Sequence, residues 1–106
     1  MPAKRSVLES PFPQGQDERR AYFVNTAPWG GGAPTAVVVK IYDVSPPGTL
    51  VDKSADNLSG AASVTDLVIT TPLVIALVPE HKYRLEIKWT HQGNTDETFA
   101  IIDAEL

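Results

Sequence analysis

Two histidines are the first residues of this chain that could carry chemistry. Nucleophilic catalysis needs a serine or cysteine beside a base, and a third group that orients the base. The chain has no cysteine, and only His81 and His91 could act as the base. Both histidines fall in polar turn sequences, and no Gly-x-Ser-x-Gly motif accompanies them. We therefore expect exposed turn histidines and a protein that is not an enzyme.

Two further patterns could bind a ligand. Three consecutive glycines at 30–32 could cradle a phosphate, but a P-loop continues with Gly-Lys-Ser/Thr and a helix, whereas Ala-Pro-Thr follows here. The spacing of Asp, Ser and Asp at 52–56 is similar to the start of a calcium-binding EF-hand loop. Asn57, however, stands where the sharp turn of that loop requires glycine. We expect neither a cofactor nor a metal.

Length and charge narrow the class of protein. A chain of 106 residues is long enough for one domain with its own core. The net charge of −4 argues against sequence-independent binding to nucleic acid, which requires a basic surface. No apolar run approaches the ~20 residues that a membrane span needs, and no apolar stretch follows the early basic residues as in a secretory signal.

The first 19 residues differ from the rest of the chain. They contain Pro2, Pro11, Pro13 and Gly15 and show no sustained hydrophobic period. Such a composition predicts an extended N-terminal arm over residues 1–19, followed by a single domain over residues 20–106. The arm's candidate contacts with a partner are Val7, Leu8 and Phe12.

The stretch 77–90 indicates the fold of that domain. Tyr83, Leu85, Ile87 and Trp89 occupy every second position, with polar residues between them. Because successive side chains of a strand point to opposite faces, this alternation predicts a strand with one buried face. Other β-like runs are separated by turn sequences and are located at 20–25, 36–43, 50–51, 62–70, 73–77 and 97–103. About seven strands and no convincing helix predict an all-β, antiparallel Greek-key sandwich, in which 36–43 is a central strand.

Leu77-x-Pro79-x-x-x-Tyr83 resembles the tyrosine corner of immunoglobulin-like and fibronectin type III-like sandwiches. In that corner, the hydroxyl of a tyrosine near the start of a strand bonds back to upstream backbone. The resemblance implies that Leu77, Pro79 and Tyr83 are structural residues.

Residues 15–106 also resemble small virion structural proteins of tailed phages and prophages. The shared segments are Asp17-Glu18-Arg19-Arg20-x-Tyr22, Ala27-Pro28-Trp29-Gly30, Val37 to Tyr42, Leu58-Ser59-Gly60 with Ser63-Val64, Ile69-Thr70-Thr71-Pro72, and the corner from Leu77 to Tyr83. The resemblance implies an immunoglobulin-like virion component that decorates a capsid or connects head, neck and tail. Its partners are then other virion proteins, including copies of itself, and its location is the virion, after synthesis in the host cytoplasm.

Two functions are therefore expected as alternatives. The first is a structural protein that docks through its arm, a sheet edge and its loops, with Trp29 and the 43–58 loops as candidate contacts. The second is a surface- or carbohydrate-binding module, which predicts Trp29, alone or together with Tyr42, exposed on one face with polar groups nearby. Trp29 could instead fold back as a plug over the end of the sandwich.

Overall fold

A computed structural model of the protein describes residues 12–30, 32–45 and 48–105. Val7 and Leu8 lie outside the described residues, and so does the Pro46-Pro47 turn sequence. Strands dominate the described residues, so the predicted all-β class is confirmed. In chain order they are β1 (Phe12–Gly15), β2 (Phe23–Asn25), β3 (Thr35–Asp43), β4 (Val51–Asp52), β5 (Leu58–Ser59), β6 (Ser63–Thr65), β7 (Val68–Thr70), β8 (Leu73–Val74), β9 (Lys82–His91) and β10 (Asn94–Glu105).

Five of these strands form the largest sheet, in the order β1-β10-β9-β3-β4. β1 runs parallel to β10, and the other neighbours in this sheet are antiparallel. A three-stranded sheet has the order β2-β7-β6, and β5 pairs with β8. The apolar inner faces of the strands share one hydrophobic core.

The alternation predicted for the stretch 77–90 is present in β9. Tyr83, Leu85, Ile87 and Trp89 are all buried, whereas the residues between them are exposed or half-buried. β9 and β10 form a hairpin that turns at Gln92 and Gly93, both of which have positive φ (48° and 80°). That backbone geometry is typical of a type I′ turn, whose twist matches the strands it connects.

The residues of the corner motif lie where β9 begins. The Tyr83 hydroxyl accepts a hydrogen bond from the backbone N–H of Val78 over 2.9 Å. Leu77 is buried in the core, and Pro79 is half-buried. The tyrosine therefore fixes the chain that enters β9, because the bond ties strand and incoming loop together.

The structure departs from the sequence prediction in two elements. The single strand expected at 62–70 is divided into β6 and β7 by a turn at Asp66 and Leu67, and Asp66 has a φ of 53°. Aspartate tolerates this left-handed region better than most residues, since its short side chain can bond to nearby backbone. The stretch 43–58, which was expected to form loops, contains a one-turn helix, α1 (Ser54–Asn57).

β1 lies inside the stretch that we expected to be an extended arm. Its residues Phe12–Gly15 pair with β10, so this part of the stretch is extended and belongs to the main sheet. Gln14 is fully buried and bonds to Tyr22, Val74 and Glu18. The prediction of an arm thus remains a prediction for residues 1–11.

Helices are rare in the described residues, and none of them is long and apolar enough to cross a membrane.

Candidate interaction surface

The edge of the largest sheet beside β3 is only partly covered. β3 pairs with β9 from Thr35 to Asp43, but on its other side β4 pairs only with Tyr42 and Asp43. The prediction of a central strand at 36–43 is therefore correct only for the end of β3, where β4 pairs with Tyr42 and Asp43 and the residues after β4 bond to Ile41. A two-residue β4 cannot cover a nine-residue neighbour, and the part of β3 before Ile41 forms an edge.

The hydrogen bonds of β3 show which backbone groups face this edge. The N–H of Val44 donates to the carbonyl of Lys82, so residue 44 faces the β9 side. Ile41 faces the opposite side: its N–H donates to Ser54 Oγ over 3.0 Å, and its carbonyl accepts from the N–H of Lys53 over 2.8 Å. Because backbone groups alternate with period two along a strand, Val39 points its N–H and carbonyl to the same side as Ile41.

No described residue bonds to the edge-facing groups of Val39. We call the backbone of residues 36–40 on this side the β3 edge. A bulge interrupts the pairing with β9 between Thr35 and Val38, and Ala36 in the bulge has a φ of 51°. Val38 is 42% exposed on the outer face of the sheet. An uncovered, valine-rich edge is a template for pairing with another strand.

Other sheet edges are shorter. β4 has two residues, while β2 and β6 have three each, and β1 has four and includes Pro13. Short strands and proline both hinder the addition of a further strand. The β3 edge has neither feature, although its bulge and Lys40 limit the length that can pair.

A shallow groove of about 100 Å³ lies on the outer face next to this edge. Its lining residues are Val38, Lys40, Tyr42, Glu86, Lys88 and Glu97. Lys40 lies opposite Glu86, and Lys88 opposite Glu97, in the strand register. The groove thus presents both signs of charge around a valine and a tyrosine, which is a surface suited to a polar partner segment.

The remaining candidate contacts lie elsewhere. Phe12 packs against the core with its ring centroid 5.1 Å from that of Tyr22. Trp29 follows β2 in a single 3-10 turn and is half-buried; its ring meets Trp89 edge to face, with centroids 5.2 Å apart. Trp29 therefore has the position of a plug over the core. In the 43–58 loops, Leu50 is exposed.

The two histidines also differ from each other. His81 is half-exposed, and its Nδ1 lies 2.7 Å from Oδ2 of Asp43. His91 is only 5% exposed, so the expectation of an exposed turn histidine is wrong there. The type I′ turn is so tight that β9 continues to His91, whose side chain points inward and contacts the carboxylate of Asp96. The described residues contain no group of three or more side chains that could hold a metal ion.

Asp43 gives the protein a predictable pH dependence. Burial acts to raise the pKa of its carboxyl group, but hydrogen bonds from the backbone N–H of Ser45 and from His81 outweigh burial and hold the pKa below its ordinary value of 3.8. A lowered pKa in the folded state stabilises the fold above the unfolded pKa, and this contribution is lost as pH falls through the folded pKa. We expect Asp43→Asn to lower the free energy of unfolding by about 1–2 kcal/mol at pH 7.

Urea unfolding from pH 7 to pH 2.5 measures this effect. The difference in unfolding free energy between the native chain and Asp43→Asn should shrink steadily below about pH 4, because protonation removes the same charge. Asp17→Asn, at an exposed position, is the control and should change little at any pH. A difference between native chain and Asp43→Asn that stays constant down to pH 2.5 contradicts the assignment.

Sequence reasoning missed the β3 edge. The available signal was the contrast between the long valine-rich run at 36–43 and the two-residue β-like run at 50–51, which is too short to cover it. Comparison of the chain with protein-family models, with curated proteins and with solved structures finds no match.

Proposed function

We propose that this protein is a non-enzymatic structural subunit that docks onto a larger assembly by adding a partner strand to its β3 edge. The observation that carries the proposal is the backbone of Val39, whose N–H and carbonyl face the edge with no partner among the described residues. Strand addition supplies affinity through main-chain hydrogen bonds and specificity through neighbouring side-chain sites. The groove beside Val38 and Lys40 offers such sites.

We further propose that the domain is an immunoglobulin-like sandwich. In chain order, β2, β7 and β6 correspond to the B, E and D strands of that fold, and β3, β9 and β10 to its C, F and G strands. β4 occupies the position of an additional C′ strand beside β3. The Tyr83–Val78 hydrogen bond supports the same proposal, because a tyrosine near the start of strand F makes it in this fold.

The assembly that we propose is a phage-like particle, with the protein as a capsid decoration or as a connector of head, neck and tail. The sequence resemblance to small virion proteins supports this part of the proposal. Virion assembly also suits an edge-strand contact, since repeated subunits place complementary edges at high local concentration. Residues 1–11, with Val7 and Leu8, are a second proposed point of attachment.

Val39→Pro tests the docking edge. Proline removes the edge-facing N–H of residue 39 but no bond to β9, because those bonds come from its neighbours, and prolines are tolerated at sheet edges. It also replaces a half-buried side chain that packs against the core, so we expect some loss of stability. The chain is produced together with the other proteins of the proposed phage-like particle, and the particles are sedimented. We expect about tenfold less Val39→Pro protein in the particle fraction, which corresponds to a loss of about 1.4 kcal/mol.

Val39→Thr is the matched control, since threonine has a similar shape and keeps the N–H. Thermal unfolding must show that both variants are folded at the assay temperature. A chain lacking residues 1–11, which leaves β1 intact, tests the arm in parallel. If folded Val39→Pro protein sediments with the particles in native amounts, the docking proposal is wrong.

The alternative of a carbohydrate-binding module receives no comparable support. It needs an exposed Trp29, but Trp29 is half-buried and packs on Trp89, whereas Tyr42 lines the groove on the outer face. A flat aromatic platform for sugar stacking is not formed by these two residues.

A further inference from the structure

We infer that the β3 edge accepts only a short extended segment of another protein, with an apolar residue at its centre and one polar residue on each side, and that it excludes longer strands. The inference rests on the proposed docking edge and names the kind of partner that fits it. Its basis is the space along β3, which is closed at both ends.

One end is closed by the residues that follow β4. The backbone N–H of Ile41 donates to Ser54 Oγ over 3.0 Å, and the carbonyl of Ile41 accepts from the N–H of Lys53 over 2.8 Å. These atoms lie where a further strand would have to pass, and β4 itself pairs with Tyr42 and Asp43. An added strand therefore cannot continue past Lys40.

The other end is closed by the bulge. The pairing of β3 with β9 shifts between Thr35 and Val38, and Ala36 has a φ of 51°. A bulge disrupts the regular ladder of backbone groups and bends the strand, so a straight added strand loses its partner before Val38. Alanine rarely adopts this left-handed conformation, and strained backbone of this kind is concentrated at functional sites.

Between these two ends, Val39 has both of its backbone groups directed to the open side. In an antiparallel pair, a single residue of the partner exchanges both hydrogen bonds with Val39. The residues before and after it then lie opposite Val38 and Lys40, which fills the available space. β3 of a second copy is too long for this space, because pairing about Val38 sets Thr35 of each copy against the occupied Ile41 of the other.

The side chains beside this opening determine the chemistry of the segment. Val39 is half-buried and packs against the hydrophobic core, so the residue opposite it lies on the same face and should be apolar. The flanking residues of the segment lie on the outer face, beside Val38 and Lys40 at the groove that carries both signs of charge. Polar residues suit these exposed positions. A turn or a flexible residue should follow on each side, where the segment leaves the edge.

Two peptides test the limit on length. The short peptide is Gly-Gly-Thr-Val-Thr-Gly-Gly and the long one is Thr-Val-Thr-Val-Thr-Val-Thr, and both carry the same Lys-Lys tail for solubility. Each is titrated into the isotope-labelled full chain up to about 5 mM, which covers weak binding, and the amide signals of residues 38–40 are followed by NMR. We expect the short peptide to bind at least about threefold more tightly, because its glycines bend away from Ser54 and from the bulge, whereas the long strand meets both.

Variants of the chain show whether binding depends on these features. Val39→Pro should bind neither peptide, whereas Val39→Thr keeps the N–H and should bind both as the native chain does. Deletion of Ala36 removes the extra residue of the bulge and should shift the preference toward the long peptide. Thermal unfolding shows which variants are folded, and if the deletion variant is not, the comparison of the two peptides on the native chain decides.

The inference and the proposed function fail in distinguishable ways. Equal or tighter binding of the long peptide to the native chain overturns the inference, and so does the absence of shifts at residues 38–40 with both peptides. If Val39→Pro is nevertheless lost from particles, the docking edge stands and only the limit on length is wrong. If the short peptide is preferred while Val39→Pro is incorporated normally, the edge binds short segments and the proposed docking function is wrong.

Discussion

Replacing Gln14 with alanine is expected to lower the free energy of unfolding by about 2–4 kcal/mol. The side chain is fully buried, and its Oε1 accepts a hydrogen bond from the Tyr22 hydroxyl over 2.7 Å. Its Nε2 donates to the carbonyls of Val74 and Glu18 over 2.8 and 3.2 Å. Alanine leaves the buried Tyr22 hydroxyl without its acceptor, and such a group costs about 1–3 kcal/mol. The Val74 carbonyl keeps its hydrogen bond from the backbone N–H of Arg20, and Glu18 is exposed, so the loss of these two bonds adds less. Urea unfolding at neutral pH measures the loss.

Gln16→Ala is the matched control for this prediction. Gln16 holds β1 to the sheet through its backbone N–H, which donates to the carbonyl of Glu105 over 2.7 Å, and alanine keeps that bond. We expect Gln16→Ala to change the free energy of unfolding by no more than about 0.5 kcal/mol. If the free energy of unfolding of Gln14→Ala is less than about 1 kcal/mol below that of the native chain, the assigned hydrogen-bond network is wrong.

The network also has a consequence for assembly. Gln14 ties β1 to β8 and to Tyr22, so Phe12, the first described residue, is held in a fixed position beside β10. An arm that starts from a fixed position loses less conformational entropy when it binds than one that starts from a flexible linker. Variants at Gln14 should therefore not be used to test the arm, because they release its base.

Local patterns predicted the fold class because they are properties of single strands. The alternation along β9 is decided by which face of one strand is buried, and Leu77-x-Pro79-x-x-x-Tyr83 lies within seven residues. Both signals are visible in one short window of sequence. β1 gave no such signal, since Pro13 argues against a strand and Gln14 looks like a surface residue. Its burial depends on Tyr22 and Val74, which lie 8 and 60 residues away.

The candidate surface could not be predicted for a related reason. Whether β3 is central or at an edge depends on the length of its neighbour, and the apolar residues on both of its faces are compatible with either position. β4 is cut short where the chain turns into α1, and Ser54 and Lys53 then occupy the backbone of Ile41. Ser54 lies 13 residues from Ile41 in sequence, outside any short window around β3. His91 was misassigned because the length of the hairpin turn, not the histidine itself, decides which residues belong to β9.

Trp89→Ala is expected to lower the free energy of unfolding by about 3–5 kcal/mol, because it removes the largest fully buried side chain of the core. The indole Nε1 of Trp89 is buried with no acceptor among the described residues. Trp89→Phe keeps an aromatic ring and removes that unpaired N–H, so it should cost markedly less than alanine. Urea unfolding of the two variants measures the difference. Equal losses for the two substitutions contradict this account of the core.

A double-mutant cycle with Trp29 decides between its two expected roles. If Trp29 is a plug, Trp29→Ala destabilises the isolated protein by about 2 kcal/mol, through lost burial and the edge-to-face contact with Trp89. The two substitutions should then be coupled by about 0.5–1.5 kcal/mol, the range of aromatic pairs. Additivity within about 0.3 kcal/mol, with a small loss for Trp29→Ala alone, means that Trp29 contributes little to the fold and is available to a partner. Strong coupling instead assigns Trp29 to the fold and leaves the β3 edge as the proposed docking surface.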